Sequence, residues 1–297
     1  MKGGLIVKIS LDCFPCFLRQ TLEASRISTS DVGMQREILH GVMDSLKELS
    51  DESTPPEMGW QVHRIIREIT GNLDPYEAIK RDHNECVLHI EAELTAMVDG
   101  SASPLMNAVK LAGRGNLIDM GPLRQWSDVA DIFTGFMNQE SPVFDYVPFE
   151  ASLGRAERLL YIGDNAGEIV LDKILLRQLG VYPNLDITFA VRGRPIINDA
   201  TMADAEAVGM TDIVTVIDTG ADFPGVVLES SSEEFLTHYH HADMILAKGQ
   251  GNYESLSDRR EPLFFLLQAK CPVIADKIGC RVGDLVLQKG RRQSQAL

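Results

Sequence analysis

The chain's 297 residues, 44% of them apolar, suffice for one large core or two smaller ones. Its 43 acidic and 28 basic side chains leave a formal charge of −15, which argues against nucleic acid or an anionic membrane surface as a partner, because both call for basic patches. No apolar run approaches the roughly 20 residues of a membrane span, and the opening Met1-Lys2-Gly3-Gly4-Leu5-Ile6-Val7-Lys8 is too short for a signal sequence, so the expected compartment is the cytoplasm.

Residues 13–138 place apolar side chains mostly at intervals of three and four, broken by polar, Pro or Gly stretches at 50–56, 71–74, 100–104 and 121–122. That period predicts helices. Ser30-Asp31 suits the cap of a helix ending near Leu49, and Asp74-Pro75 suits the cap and first turn of a long helix toward Val98. Gly113-Arg114-Gly115-Asn116 stops the next helix, with glycines that permit positive backbone angles. Residues 1–150 are therefore expected to form a helical domain, joined through "SPVFDYVPFE" to a second domain over 151–297.

After Arg158 the rhythm becomes short β-rich runs alternating with helical ones. Strands are expected at 159–163, 187–191, 213–217, 244–247 and 273–275, with helices at 167–179, 200–208, 232–241 and 262–269 between them. This order predicts a mainly parallel sheet in a Rossmann-like, three-layer α/β/α domain. Right-handed crossovers then put every strand-to-helix turn on one edge of the sheet, where ligands bind in such folds.

The residues of those turns carry the chemistry. After the first strand comes Gly163-Asp164-Asn165-Ala166-Gly167-Glu168, and after the second Arg192-Gly193-Arg194-Pro195-Ile196-Ile197-Asn198-Asp199. Asp218-Thr219-Gly220, Lys248-Gly249-Gln250-Gly251-Asn252-Tyr253-Glu254 and Asp276-Lys277 follow the others. Asp164, Asn165 and Asp199 offer three oxygen ligands that leave open positions for water and phosphate, a set suited to Mg²⁺ or Mn²⁺. Lys248 and the backbone amides of Gly249 and Gly251 suit an anion, and Arg192 or Arg194 could clamp one. Each feature has a plain counterpart: Asp164-Asn165 and Asp199 also suit helix caps, glycines form turns, and a single lysine is usually solvated. Convergence on one edge favours a site. Neither G-x-G-x-x-G nor G-x-x-x-x-G-K-[ST] is present.

"GDNAGEIVLD", "RGRPIINDAT" and "KGQGNYESL", with "GRGNLID" at 113–119 and "DPYEAIKRDHN" at 74–84, resemble the DUF89 family of metal-dependent damage-control phosphatases along nearly the whole chain. The match is nearest to the archaeal and bacterial branch carrying an N-terminal Cys-x-x-Cys. This resemblance implies a helical domain packed on a Rossmann-like one, with a divalent metal (Mn, Mg, Ni or Co) at the cleft and a small phosphorylated metabolite as substrate. It carries the metal ligands onto Asp164, Asn165 and Asp199, and the phosphate-contacting lysine onto Lys248. Glu168, Arg192, Asn198, Asn252 and Glu254 fall in the same motifs, and Asn116 and Asp119 match a segment that faces the cleft. Glu168, Asp199 or Glu254 is the candidate base, and both attack by water and an aspartyl-phosphate at Asp164 are open routes. A eukaryotic member described as a protein carboxyl methyltransferase makes an S-adenosylmethionine-dependent methyltransferase the alternative, and a noncatalytic phosphometabolite or nucleotide binder is a third reading.

Two further clusters are expected to be inert. Cys13 and Cys16 begin a helix, not a strand-linked redox turn, and Cys86, Cys271 and Cys280 are scattered, so packing or nonessential thiols are expected ahead of the alternatives, a disulfide or a metal role. "HYHHAD" at 238–243 lies on a predicted helix away from the ligand edge, and Phe14, Phe17 and Phe133 read as core.

Overall fold

The computed structural model describes residues 7–50, 52–114, 134–135, 137 and 141–290. Five helices open the chain: α1 (Cys13–Ser28), α2 (Val32–Lys47), α3 (Pro55–Thr70), α4 (Glu77–Asp99) and α5 (Pro104–Ala112). Their ends follow local chemistry. The Asp31 carboxylate caps α2, accepting hydrogen bonds from the Gly33 and Met34 amides at 2.7 and 3.2 Å. Thr54 and Glu57 form a capping box ahead of α3, which stops at Gly71 with φ +68°. The long fourth helix begins two residues later than Pro75, because Asp74 closes a turn by accepting from the Tyr76 amide at 3.1 Å.

Gly113 ends α5 for a different reason than its sequence suggests. Its φ is −77°, open to any residue, but a Cβ there would run into the Leu285 side chain and meet Leu266 Cδ1 at 2.7 Å. Close packing on the sheet, not backbone freedom, requires this glycine. Asn116 and Asp119 lie outside the described residues, as do Gly115, the break at 121–122 and Phe133.

The α/β region continues with β1 (Val143–Phe144), α6 (Tyr146–Leu153), β2 (Arg158–Ile162), α7 (Glu168–Leu179), β3 (Asp186–Val191), α8 (Met202–Ala207) and β4 (Thr215–Asp218). A short 3₁₀ turn at Leu228–Ser230 precedes α9 (Glu233–His241), β5 (Met244–Lys248), α10 (Gly249–Leu256), β6 (Leu263–Gln268), α11 (Pro272–Ile278) and β7 (Leu285–Lys289). The seven-stranded sheet runs β1-β7-β6-β5-β2-β3-β4. Strands β6, β5, β2, β3 and β4 are mutually parallel, and β6 meets β7 antiparallel. The fold is thus the expected mainly parallel α/β/α sheet with added helices.

Strand alternation sends side chains to two faces. Leu159, Tyr161, Phe189, Leu246 and Leu266 join α7 on one face, while Leu160, Ile162, Ile245, Phe265 and Val286 join α9, α10 and α11 on the other. The helices of residues 1–150 divide between cores. Phe17, Ile38, Val42, Met58 and Ile66 of α1 to α3 make a satellite cluster, whereas Val87, Leu94, Val109 and Leu111 of α4 and α5 belong to the core over α7.

Two elements overturn the expectation. Residues 262–269, expected as helix, contain strand β6, and 273–275, expected as strand, lie in α11. Leu263-Phe264-Phe265-Leu266-Leu267 is buried on both faces between β5 and β7, so it has no alternation for a period to reveal. Pro272 in the first turn and Gly279 just past the end, at φ +88°, are helix start and stop signals that outweigh the β-branched Val273-Ile274. Asp276 and Lys277 are consequently exposed helix residues, not a post-strand turn. The strand expected at 213–217 starts at Thr215, since the Ile213 and Val214 amides are turned back to the Met210 carbonyl.

All five cysteines are free thiols. On α9, Tyr239 is buried while His240 and His241 are exposed, so "HYHHAD" has the exposed helix face expected of it. Among the described residues no helix is long and apolar enough to cross a membrane.

Candidate active site at the carboxyl edge of the sheet

The β2–α7 and β3–α8 turns, distant in sequence, are zipped together by backbone. Asn165 and Asp199 form an antiparallel bridge, the Ala166 amide donates to the Asn198 carbonyl at 2.9 Å, and the Ala200 amide donates to the Asp164 carbonyl at 2.8 Å. Neither turn spends its acids on capping. Gly167, at φ +79°, is the N-cap of α7, and Thr201 with Asp204 forms the capping box of α8. The cap readings of Asp164-Asn165 and Asp199 therefore fail, and three buried side chains are released for other work. The second turn passes through Ile197 at φ +45°, a costly angle for a β-branched residue that only over-determining surroundings hold in place.

Around this junction the polar side chains hold one another. Arg192, fully buried, donates Nε to Asp199 Oδ2 at 2.7 Å and Nη2 to Asn252 Oδ1 at 3.3 Å, with Asp164 Oδ1 at 3.8 Å. Its Nη1 is buried without a partner among the described residues. Asn165 donates its Nδ2 to Glu168 Oε1 at 2.9 Å and to Asp164 Oδ2 at 3.3 Å, which turns its carbonyl oxygen the other way. Gly249, at φ +80°, opens α10 directly against Asp164: a Cβ there would overlap the carboxylate. That acid consequently faces the positive end of a helix.

Lys248 is not solvated but 1% exposed. Its Nζ lies 2.6 Å from Asp172 Oδ1 and 3.6 Å from Glu168 Oε2. Tyr161 donates to the same Asp172 oxygen at 2.6 Å, and Asp172 Oδ2 is buried with no partner among the described residues. Sequence reasoning missed this Tyr161–Asp172–Lys248 group. The sequence does not set this acid apart, because α7 mixes Glu168, Asp172, Lys173, Arg177 and Gln178 with its apolar residues, yet the fold buries all of the helix but Arg177 and Gln178.

Lys270 was missed with β6. It follows that strand, its amide is held by Gln250 Oε1 at 2.8 Å, and its charge acts on Asp164, Asp199 and Glu254. Half-buried Glu254 accepts from Gln250 Nε2 at 2.8 Å.

Other predicted residues turn out to be braces. Asn252, wholly buried, donates to the Lys248 carbonyl at 2.7 Å and to that of Gly163 at 3.3 Å, and accepts from the Val226 amide at 3.0 Å. Gly251 lets the Pro224 carbonyl come close. Asn198 contributes the carbonyl that binds Ala166, and Arg194 points outward to Asp222 at 3.7 Å. The Asp218-Thr219-Gly220 turn supports the Arg192 loop through Thr219 Oγ1, which accepts from the Gly193 amide at 3.3 Å.

Burial sets the electrostatics of these acids. Burial, reinforced by Glu168, pushes Asp164 up to about 6. Burial lifts Asp199 to about 7, with Arg192 opposing and Asp164 assisting, and lifts Glu254 to about 7. For Lys248 burial pulls downward, but Asp172, Glu168 and Asp164 outweigh it and leave the ammonium above its ordinary value. Among the described residues no three His, Cys, Asp or Glu side chains form a metal-binding group. The oxygen set here is two carboxylates and a carboxamide, so a hard cation would depend on Asn165 and on outside oxygens to complete its shell. The donor chemistry and the surplus of buried acid fit such an ion.

A doubly wound sheet with its polar groups gathered at the carboxyl edge defines a Rossmann-like ligand-binding protein. Within that class, the chain matches the damage-control phosphatase ARMT1-like domain over residues 9–286 and belongs to that family. It is 36% identical to the uncharacterized protein MJ0202 of Methanocaldococcus jannaschii, across 96% of this chain and 97% of that one. It is 30% identical to damage-control phosphatase PH1575 of Pyrococcus horikoshii (96% and 99%) and 32% identical to a damage-control phosphatase of Archaeoglobus fulgidus (94% and 98%). The crystal structure of PH1575, a DUF89 family protein, superposes with a TM-score of 0.87 over 96% of this chain and 100% of that one, at 29% identity.

Proposed function

We propose that this chain is a phosphatase of metabolite damage control that hydrolyses small phosphomonoesters with a divalent metal held by Asp164, Asn165 and Asp199. The relatives named damage-control phosphatases support the phosphatase reading and disfavour a methyltransferase. The observation that carries the metal reading is the backbone zip, which sets an acid, an amide and a second acid side by side without using any of them as a cap.

The bound ion supplies Lewis-acid neutralisation of the phosphoryl charge. The chain's own groups do the rest. Arg192 holds one oxygen of Asp199 and so presents the other to the site. Asp172 and Glu168 fix the Lys248 ammonium and keep it charged, leaving its third N–H for a phosphoryl oxygen, the stabilisation that dominates phosphoryl transfer. Lys270 adds positive charge toward solvent. Glu254, lifted to about 7 by burial, is poised to take or give a proton at physiological pH.

Phosphate release from a panel of sugar phosphates and related phosphomonoesters, with and without Mn²⁺, tests this reading. Turnover that requires the metal is expected. Equal turnover in a chelator contradicts metal dependence, and no phosphate release from any member contradicts the phosphatase itself.

A further inference from the structure

Resting on that metal reading, we infer that Asn84, on α4 of the helical region, is a positioning residue for the metal-holding turns and sets the protein's affinity for its divalent ion. Asn84 is 4% exposed and makes two hydrogen bonds in opposite directions. Its Oδ1 accepts from the Gly167 amide at 2.6 Å, and its Nδ2 donates to Asp204 Oδ1 at 3.1 Å.

Both ends lead to the site. Gly167 closes the turn that carries Asp164 and Asn165, at a positive φ that the Asn84 bond helps to hold. Asp204 accepts from the Thr201 amide at 2.9 Å and hydroxyl at 2.8 Å, and Thr201 is bridged to Arg192 beside the Asp199 turn. One carboxamide on a helix outside the sheet thus spans the two turns whose side chains must converge. Lys80, one turn earlier on α4, lies 3.2 Å from Asp204 Oδ2 and is itself held by Asp74 at 2.8 Å, so the carboxylate that orients Asn84 is anchored from the same helix. Outer partners that orient metal ligands typically contribute about 10-fold to 100-fold in metal affinity when removed.

Calorimetric Mn²⁺ titration of the full chain without substrate, paired with hydrogen exchange of the peptide carrying Gly167, tests the assignment. Asn84→Ala is expected to bind Mn²⁺ at least tenfold more weakly, with faster exchange at Gly167, while kcat at saturating metal falls less than the affinity does. Trp60→Phe serves as the control. It removes a different contact between the helices and the sheet edge, the 3.1 Å bond from Trp60 Nε1 to Asp222, and is expected to leave Mn²⁺ affinity unchanged.

A folded Asn84→Ala with parental affinity and a protected Gly167 overturns the inference, as does an equal loss in both variants, which would mean a general loosening. Should Asn84→Ala not fold, Asp204→Asn takes its place with a smaller loss expected in the same direction, and parental affinity there overturns the inference equally. A parent chain that binds no divalent ion contradicts the metal reading itself, and Asn84 with it.

Discussion

Asp31 and Asp164 both stand just ahead of a helix, and the structure uses them in opposite ways. At the α2 terminus Asp31 is exposed and its carboxylate satisfies two backbone amides, so its whole role is local. At the β2–α7 turn Gly167 takes over the capping position, and Asp164 is buried, destabilised as an anion and aimed at groups from two other turns. The same residue type ahead of the same element is a structural cap when its partners are the next amides. It becomes part of a site when a glycine relieves it of that duty and the chain burdens it with buried charge.

Truncation breaks the comparison most sharply. Asp164→Ala and Asp199→Ala are expected to lower metal-dependent phosphate release by about three orders of magnitude. The metal-free melting temperature of Asp164→Ala is expected to hold or rise, because the change removes an acid whose ionised form burial opposes, whereas Asp199→Ala strips the buried Arg192 of its 2.7 Å partner and is expected to melt lower. Enzyme assay and thermal melting on the same preparations check both halves. A loss of stability comparable to that of a core truncation would return Asp164 to the structural class of Asp31.

An intermediate effect is expected at Asp172→Asn. The change keeps size and shape but removes the charge that holds Lys248 at 2.6 Å. Steady-state kinetics should show kcat reduced by about 10-fold to 100-fold with little change in metal requirement, as for a group that acts through another. Parental kcat would mean that Lys248 needs no such partner.

The smallest effect belongs to the cap. Asp31→Ala is expected to cost about 1 kcal/mol in denaturant unfolding and nothing in phosphatase activity. A measurable fall in turnover would show that the α1–α3 region reaches the site.

Much of the site could be read from sequence because its residues sit in turns, where Gly and Asx types stand out against the apolar strands. Asp164, Asn165, Asp199, Arg192 and Lys248 all meet at the predicted edge. What stayed hidden shares one physical cause: full burial erases periodicity. Strand β6, buried on both faces, read as a helix, and Lys270 in its following turn was lost with it. Asp172 was passed over because α7 has no solvent face to mark its acid as out of place. Asn84 belongs to a bond between distant segments, which no spacing along the chain encodes. The Asp218 turn, by contrast, was drawn toward the site by pattern but spends its acid on the Gly220 amide, and Asp276 lies exposed on α11.

Diffraction from Mn²⁺-soaked crystals at the manganese absorption edge tests the central claim most directly. The account predicts one anomalous peak between the Asp164, Asn165 and Asp199 side chains, each offering an oxygen at about 2.1 Å, as expected for a small hard cation. A fully soaked crystal with no peak there, or with its peak on groups other than these three, would contradict it.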